Sequence, residues 1–167
     1  MSMIDGLKDS ALHECDIAIH LHGKIPEGSA EYRPTPEQRS TVELLRYLSA
    51  CGIGSARAMC EGSWEGYKEA MARVEDMPLE GFPEAMARQK EDLGALFEGL
   101  TDEDLTQKEA VLPWGEKVSL GRALLETTLK WLAAYRMQLF LYAKGAGNAS
   151  IGTANNWAGV DWEGESL

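Results

Sequence analysis

The sequence predicts an all-α fold, a four-helix bundle, on three observations: four long amphipathic stretches recur along the chain, short connections join them, and each carries one apolar stripe. Burying those stripes against one another is the economical solution. With 167 residues, 44% of them hydrophobic and 26% charged, the chain has enough apolar material for one packed core.

The first stretch, residues 4–24, sets Leu7, Ala11, Cys15, Ala18 and His22 at three- and four-residue steps, the spacing of one helix face. Pro26 and Gly28 end it, and residues 29–34 read as a loop. Thr35-Pro36-Glu37-Gln38 has the form of a helix start, with Thr35 as cap, Pro36 in the first position and Gln38 reaching back to the cap amide. Leu44, Tyr47, Cys51 and Ala58 then share a line that runs to residue 61. Gly52 and Gly54 interrupt this second helix, each costing about 1 kcal/mol against alanine, and they point either to close helix packing or to a kink.

Ser63 is placed to cap a shorter helix carrying Trp64, Tyr67, Met71 and Val74. The third long helix, residues 83–99, follows the line Phe82, Met86, Gln89, Leu93, Leu96 and Leu100, and stops at Gly99 before a Thr101-x-x-Asp104 cap. Pro113 and Gly115 break residues 111–118 into an extended pair around a turn, a small hairpin. Ser119 caps the last long helix, in which Leu124, Thr128, Trp131, Tyr135, Leu139 and Tyr142 form the stripe. The expected division is a bundle over 1–145 and a Gly/Asn-rich tail over 146–167 that packs back on it, with Trp157 and Trp162 as anchors.

The formal net charge of −11 sets a field that repels phosphate backbones, so nucleic acid is not an expected partner. No run is apolar enough for a membrane span and the N-terminus has no signal-peptide pattern, so the chain is expected to be cytoplasmic and free of membranes. Cys15, Cys51 and Cys60 show no metal or disulfide spacing and read as buried thiols. The glycine-rich stretch after Gly145 lacks the lysine and the following helix of a phosphate loop.

Two stretches carry a family likeness: Ser40-Thr41-Val42-Glu43-Leu44-Leu45-Arg46-Tyr47-Leu48 and Leu129-Lys130-Trp131-Leu132-Ala133-Ala134-Tyr135-Arg136-Met137-Gln138-Leu139. They resemble the two signature helices of the DinB-like superfamily, where a leucine-rich segment leads to one histidine and a second helix reads H-x-x-x-H-R-x-Q. The resemblance covers residues 5–145, including the extended segment before the last helix, and implies three histidines that hold a divalent metal inside the bundle.

Carried over position by position, those histidines fall on Tyr47, Trp131 and Tyr135. An indole offers a metal no suitable lone pair, and a phenol must first lose a proton with a pKa near 10. The resemblance therefore implies a degenerate metal site and no resident metal cofactor. Residues 131 and 135 still share a helix face, so the three aromatic residues either fill the old cavity as core or line a pocket for a small apolar ligand.

The histidines that are present, His13, His20 and His22, all lie in the first helix, where Asp16 and His20 form a minor alternative pair of ligands for zinc or nickel. Glu14, Asp16, Glu43 and Glu126 are helical carboxylates available for proton transfer if buried. The leading expectation is a metal-free DinB-like bundle that binds a small molecule or a second copy of itself as a homodimer. The alternative implied by the resemblance is a metal- or thiol-dependent transferase or hydrolase.

Overall fold

The computed structural model describes residues 2–162. Helix α1 (Met3–His22) starts at Ser2, whose hydroxyl and Asp5 form a reciprocal cap. The carboxylate of Asp102 takes up the next free amides, those of Met3 (3.2 Å) and Ile4 (2.8 Å), so the first orphan donors of the helix are all paired within the fold. His22 leaves the expected core line: Leu21 is buried instead, while the His22 ring stacks on Phe82 at 5.4 Å and its Nε2 meets the Leu79 carbonyl at 2.9 Å.

Helix α2 (Thr41–Glu61) begins five residues later than the Thr35 pattern predicts, with Ser40 as its cap in place of Thr35. Ser40 and Glu43 form a better cap, because Glu43 bonds the Ser40 amide at 2.7 Å and also pairs with Arg33 at 2.9 Å. The Thr41 and Val42 amides are taken by the carbonyls of Tyr32 and Ala30, which fold the incoming loop against the helix start. Residues 35–38 make only a single turn.

Short helix α3 (Glu65–Ala72) follows, one residue later than expected: Trp64 and not Ser63 stands at its N-cap, and Ser63, one position earlier, still accepts from the Glu65 amide at 3.3 Å. Val74 lies beyond the end of α3 but is still buried. A 3₁₀ turn (Leu79–Gly81) leads into α4 (Phe82–Glu98), which buries Phe82, Met86, Gln89, Leu93 and Phe97. Thr101 and Asp104 cap α5 (Asp102–Gln107). Strands β1 (Glu109–Val111) and β2 (Lys117–Ser119) pair antiparallel as the small hairpin, with Ala110 opposite Val118 and both turned inward.

The last long helix comes in two α-helical parts, α6 (Leu120–Leu124) and α7 (Lys130–Gly145), joined by a π-helical segment (Leu125–Leu129). A π turn adds a residue to the helical ring, so the face presented downstream rotates. Leu132 and Arg136 consequently take the buried line, and Trp131 and Tyr135 move to its flank, half-buried. A strictly α-helical register puts those two aromatics at the centre. The fold stays all-α apart from the hairpin, and among the described residues no helix is long and apolar enough to cross a membrane.

Every residue of α2 from 48 to 56 is buried, because α3, α4, α7 and the π segment all pack around it. Gly52 and Gly54 make this possible by close packing. A Cβ on Gly52 would stand 2.9 Å from Leu132 Cδ2, and one on Gly54 would stand 2.8 Å from Tyr67 Cδ2. Gln89, itself 2% exposed, inserts its amide between the turns of α2. Its Oε1 accepts from the Gly52 (2.9 Å) and Ile53 (3.1 Å) amides, and its Nε2 donates to the Leu48 carbonyl at 2.9 Å.

Residues 146–162 fold back along α1 and α7 through α8 (Thr153–Ala158), with Asn155 and Asn156 buried. Gly159, left-handed at φ 65°, closes α8 against α1, where a Cβ would come within 3.1 Å of Ile17 Cα. Residues 163–167 of the expected tail lie outside the described residues.

Two glycine replacements should move stability in opposite directions. Gly52→Ala should destabilise by about 1–3 kcal/mol through overpacking, whereas Gly6→Ala, in α1 with no atom within 4 Å of the new Cβ, should stabilise by up to about 1 kcal/mol. Urea midpoints of the two variants check both signs.

Candidate functional site

Tyr47 stands on α2, Tyr67 on α3, and Trp131 and Tyr135 on α7, so the packing of α3 and α7 against α2 brings four rings into one seam. The Tyr47 and Tyr135 rings meet edge to face with centroids 4.6 Å apart at 64°. Trp131 reaches the group through Tyr67, at 6.5 Å and 83°, and the Tyr67 hydroxyl donates to that of Tyr47 at 3.4 Å. Trp64 extends the seam to the surface by an edge contact with Tyr67 at 5.3 Å. Tyr47, Trp131 and Tyr135 are half-buried, so they form the wall of a seam and do not fill the centre of the bundle.

Arg39 completes the arrangement. Its guanidinium carbon lies 4.3 Å from the Tyr47 ring centroid and 5.8 Å from that of Tyr135, both within cation–π range. The sequence gives no pattern that places this residue here, since it lies in the loop before α2 and reaches the rings only when that loop folds back. Tyr67 and Trp64 were likewise legible as helix residues and not as partners of Tyr47.

Arg136, the arginine of the second signature stretch, faces away from the seam and is 1% exposed. Its Nε and Nη2 clamp the Glu14 carboxylate at 2.8 and 3.2 Å, its Nη1 donates to Asn156 Oδ1 at 2.9 Å, and Trp157 covers it at 4.9 Å. One buried guanidinium thus ties α1, α7 and α8 together.

This architecture has a known counterpart. A DinB-like protein of Bacillus subtilis, YjoA, superposes with a TM-score of 0.69 over 89% of this chain and 96% of that one, at 22% sequence identity. The chain has a DinB-like fold. No family model and no curated protein matches the sequence.

The residues at the three ligand positions implied by the DinB-like resemblance do not fit a divalent ion. Burial pushes the Tyr47 phenol far above its ordinary value, and the Tyr67 hydroxyl bond adds to this, so Tyr47 stays neutral. The Arg39 cation already sits over the faces of Tyr47 and Tyr135. Among the described residues no three His, Cys, Asp or Glu side chains converge as ligands. Asp16 holds Lys90 of α4 through both oxygens, at 2.6 and 2.8 Å, while His20 faces the tail, where its Nε2 lies 3.1 Å from Asn155 Nδ2. The alternative ligand pair is thus committed to separate neighbours.

The other helical carboxylates are likewise engaged. Glu43 is held below the ordinary carboxylate value chiefly by the Ser40 amide and then by Arg33, and Glu126 by Lys130. Both shifts run opposite to what a general acid needs at neutral pH. Burial pushes Cys15 up to about 12 and Cys60 to about 11, and raises Cys51 as well, so none is a ready thiolate nucleophile.

Arg136→Met should cost about 3–5 kcal/mol in thermal or denaturant unfolding, because it leaves the Glu14 carboxylate without its buried partner. Hydrogen exchange should also show residues 153–158 released. A second outcome concerns pH. With its proton on Nδ1, neutral His20 accepts from Asn155, which also donates to Asp161 at 2.9 Å, and Lys24 closes the group at 2.7 Å from Asp161. Burial of the ring, then the Lys24 charge, lowers the His20 pKa below its ordinary 6.5. The folded form therefore disfavours the charged ring, so its stabilisation is complete above pH 6.5 and is lost as the pH falls through 6.5 toward the lower folded value. Amide exchange of the tail should quicken over that interval, and His20→Gln should remove the dependence.

Proposed function

We propose that the chain is a metal-free binding protein of DinB-like fold whose aromatic seam holds a small organic molecule. The observation that carries this reading is the Tyr47–Tyr135 pair with Arg39 laid over it. Three positions that resemble metal ligands instead present aromatic rings, and those rings are half-buried at the flank of the bundle. Aromatic walls with few polar groups are the usual lining of small-molecule sites. A neutral Tyr47 phenol, thiols raised by burial and carboxylates engaged in caps and ion pairs favour binding over transfer or hydrolysis chemistry.

Two measurements test it. Protein purified without an affinity tag should carry no stoichiometric transition metal, and added zinc or nickel should give no saturable rise in Tm. One tightly bound equivalent that is lost in Tyr47→Phe or Tyr135→Phe would establish phenolate ligation and end the reading. In the second, small aromatic fragments, neutral and charged, should shift the NMR signals of the Trp131 indole N–H and the Tyr135 ring, and Tyr135→Ala should abolish the response. Fragments that shift neither signal would refute the proposal.

Self-association is a second reading, favoured by a separate feature. An apolar cleft of about 410 Å³ lies between the start of α1 and the π segment, lined by Leu7, Leu105, Leu125 and Leu129, and Leu125 and Met3 at its mouth are about half exposed. A two-fold dimer through this face would cover them. Sedimentation at tens of micromolar should then show twice 18.3 kDa, and Leu125→Asp should return the monomer.

A further inference from the structure

Arg39 is held at both ends. Its carbonyl accepts the Tyr142 hydroxyl at 3.0 Å, and the next residue, Ser40, is the fully buried cap of α2. Its side chain is held against Tyr47 and Tyr135. An exposed arginine ordinarily retains most of its rotamer freedom, and here much of that freedom is already spent in the free protein.

The rings cover a face of the guanidinium and satisfy none of its N–H donors. Among the described residues no carboxylate or carbonyl takes those donors, in a chain with 27 acidic residues. The neighbouring Arg33 behaves in the ordinary way, bonding Glu43 at 2.9 Å and the Gln38 carbonyl at 2.7 Å. Arg39 is therefore a positioned, charged donor fork with no acceptor among the described residues, set at the end of an aromatic wall.

We propose that Arg39 receives the carboxylate of a small organic acid whose apolar part lies along the Tyr135, Tyr67 and Trp131 rings. This inference rests on the seam being the binding site. A carboxylate matches the guanidinium fork with two parallel bonds, and its single negative charge matches the single cation. A dianionic phosphate would need more positive charge than the site supplies in a chain of net charge −11.

Calorimetric titration with 3-phenylpropanoate, its neutral amide, the corresponding amine and phenethyl phosphate tests the assignment. The carboxylate should bind at least tenfold tighter than the other three. In Arg39→Met its affinity should fall to that of the amide, with the amide unchanged and Tm preserved, and Arg39→Lys should restore part of it. Equal affinity of acid and amide, with no effect of Arg39→Met, would overturn the role of Arg39 and leave the aromatic site standing. Tightest binding by the amine or by the phosphate would overturn the carboxylate. No binding by any of the four at millimolar concentration would overturn both this inference and the reading on which it rests.

Discussion

The fold is built around a helix that has no solvent face over its middle two and a half turns. Residues 48–56 of α2 are covered on every side, so the segment carries glycine, alanine, serine and cysteine where neighbouring helices come closest. Gln89 sets the distance of α4 from that segment by joining the Leu48 carbonyl to the Gly52 and Ile53 amides. An amide buried in this way is favourable only when its donors and acceptor are all met, since an unpaired buried polar group costs about 1–3 kcal/mol. The same close approach brings Tyr67 over Gly54 and Leu132 over Gly52, and so positions α3 and α7, the two helices that supply the rest of the seam.

The seam follows from that geometry. Tyr47 leaves α2 immediately before the buried segment, and Tyr135 and Trp131 come to its level because the π segment turns α7 by one residue. A divalent ion in such a place needs lone pairs from imidazole, thiolate or carboxylate. The aromatic rings offer quadrupoles instead, and a quadrupole attracts a large, weakly hydrated cation over its face. Arg39 is such a cation. The protein thus satisfies the electrostatics of its aromatic wall with its own side chain.

Arg136 separates two meanings that a sequence motif can carry. Its place after Trp131 and Tyr135 belongs to the likeness with the DinB-like signature, yet its side chain contributes to the stability of the tail and not to the seam. A guanidinium at 1% exposure is tolerated because Glu14 neutralises it with two bonds, Asn156 accepts a third, and Trp157 covers its face. Trp157 itself remains 59% exposed, which is consistent with a ring that packs by one face only.

The sequence by itself determined the all-α class, the four long helices, the hairpin and most caps, because helix periodicity, Ser/Thr caps and Pro/Gly breaks act over a few residues and are written locally. It also pointed to Tyr47 and Tyr135 as neighbours, through a likeness of two stretches. Other features belong to tertiary structure. Ser40 displaced Thr35 as the cap because Arg33 and Tyr32, brought back by the loop, reward that start. Trp131 moved to the flank because a π turn changes register without any distinctive residue to announce it. Tyr67 and Arg39 joined the seam, and Asp16 parted from His20, through contacts with other elements that no local spacing encodes.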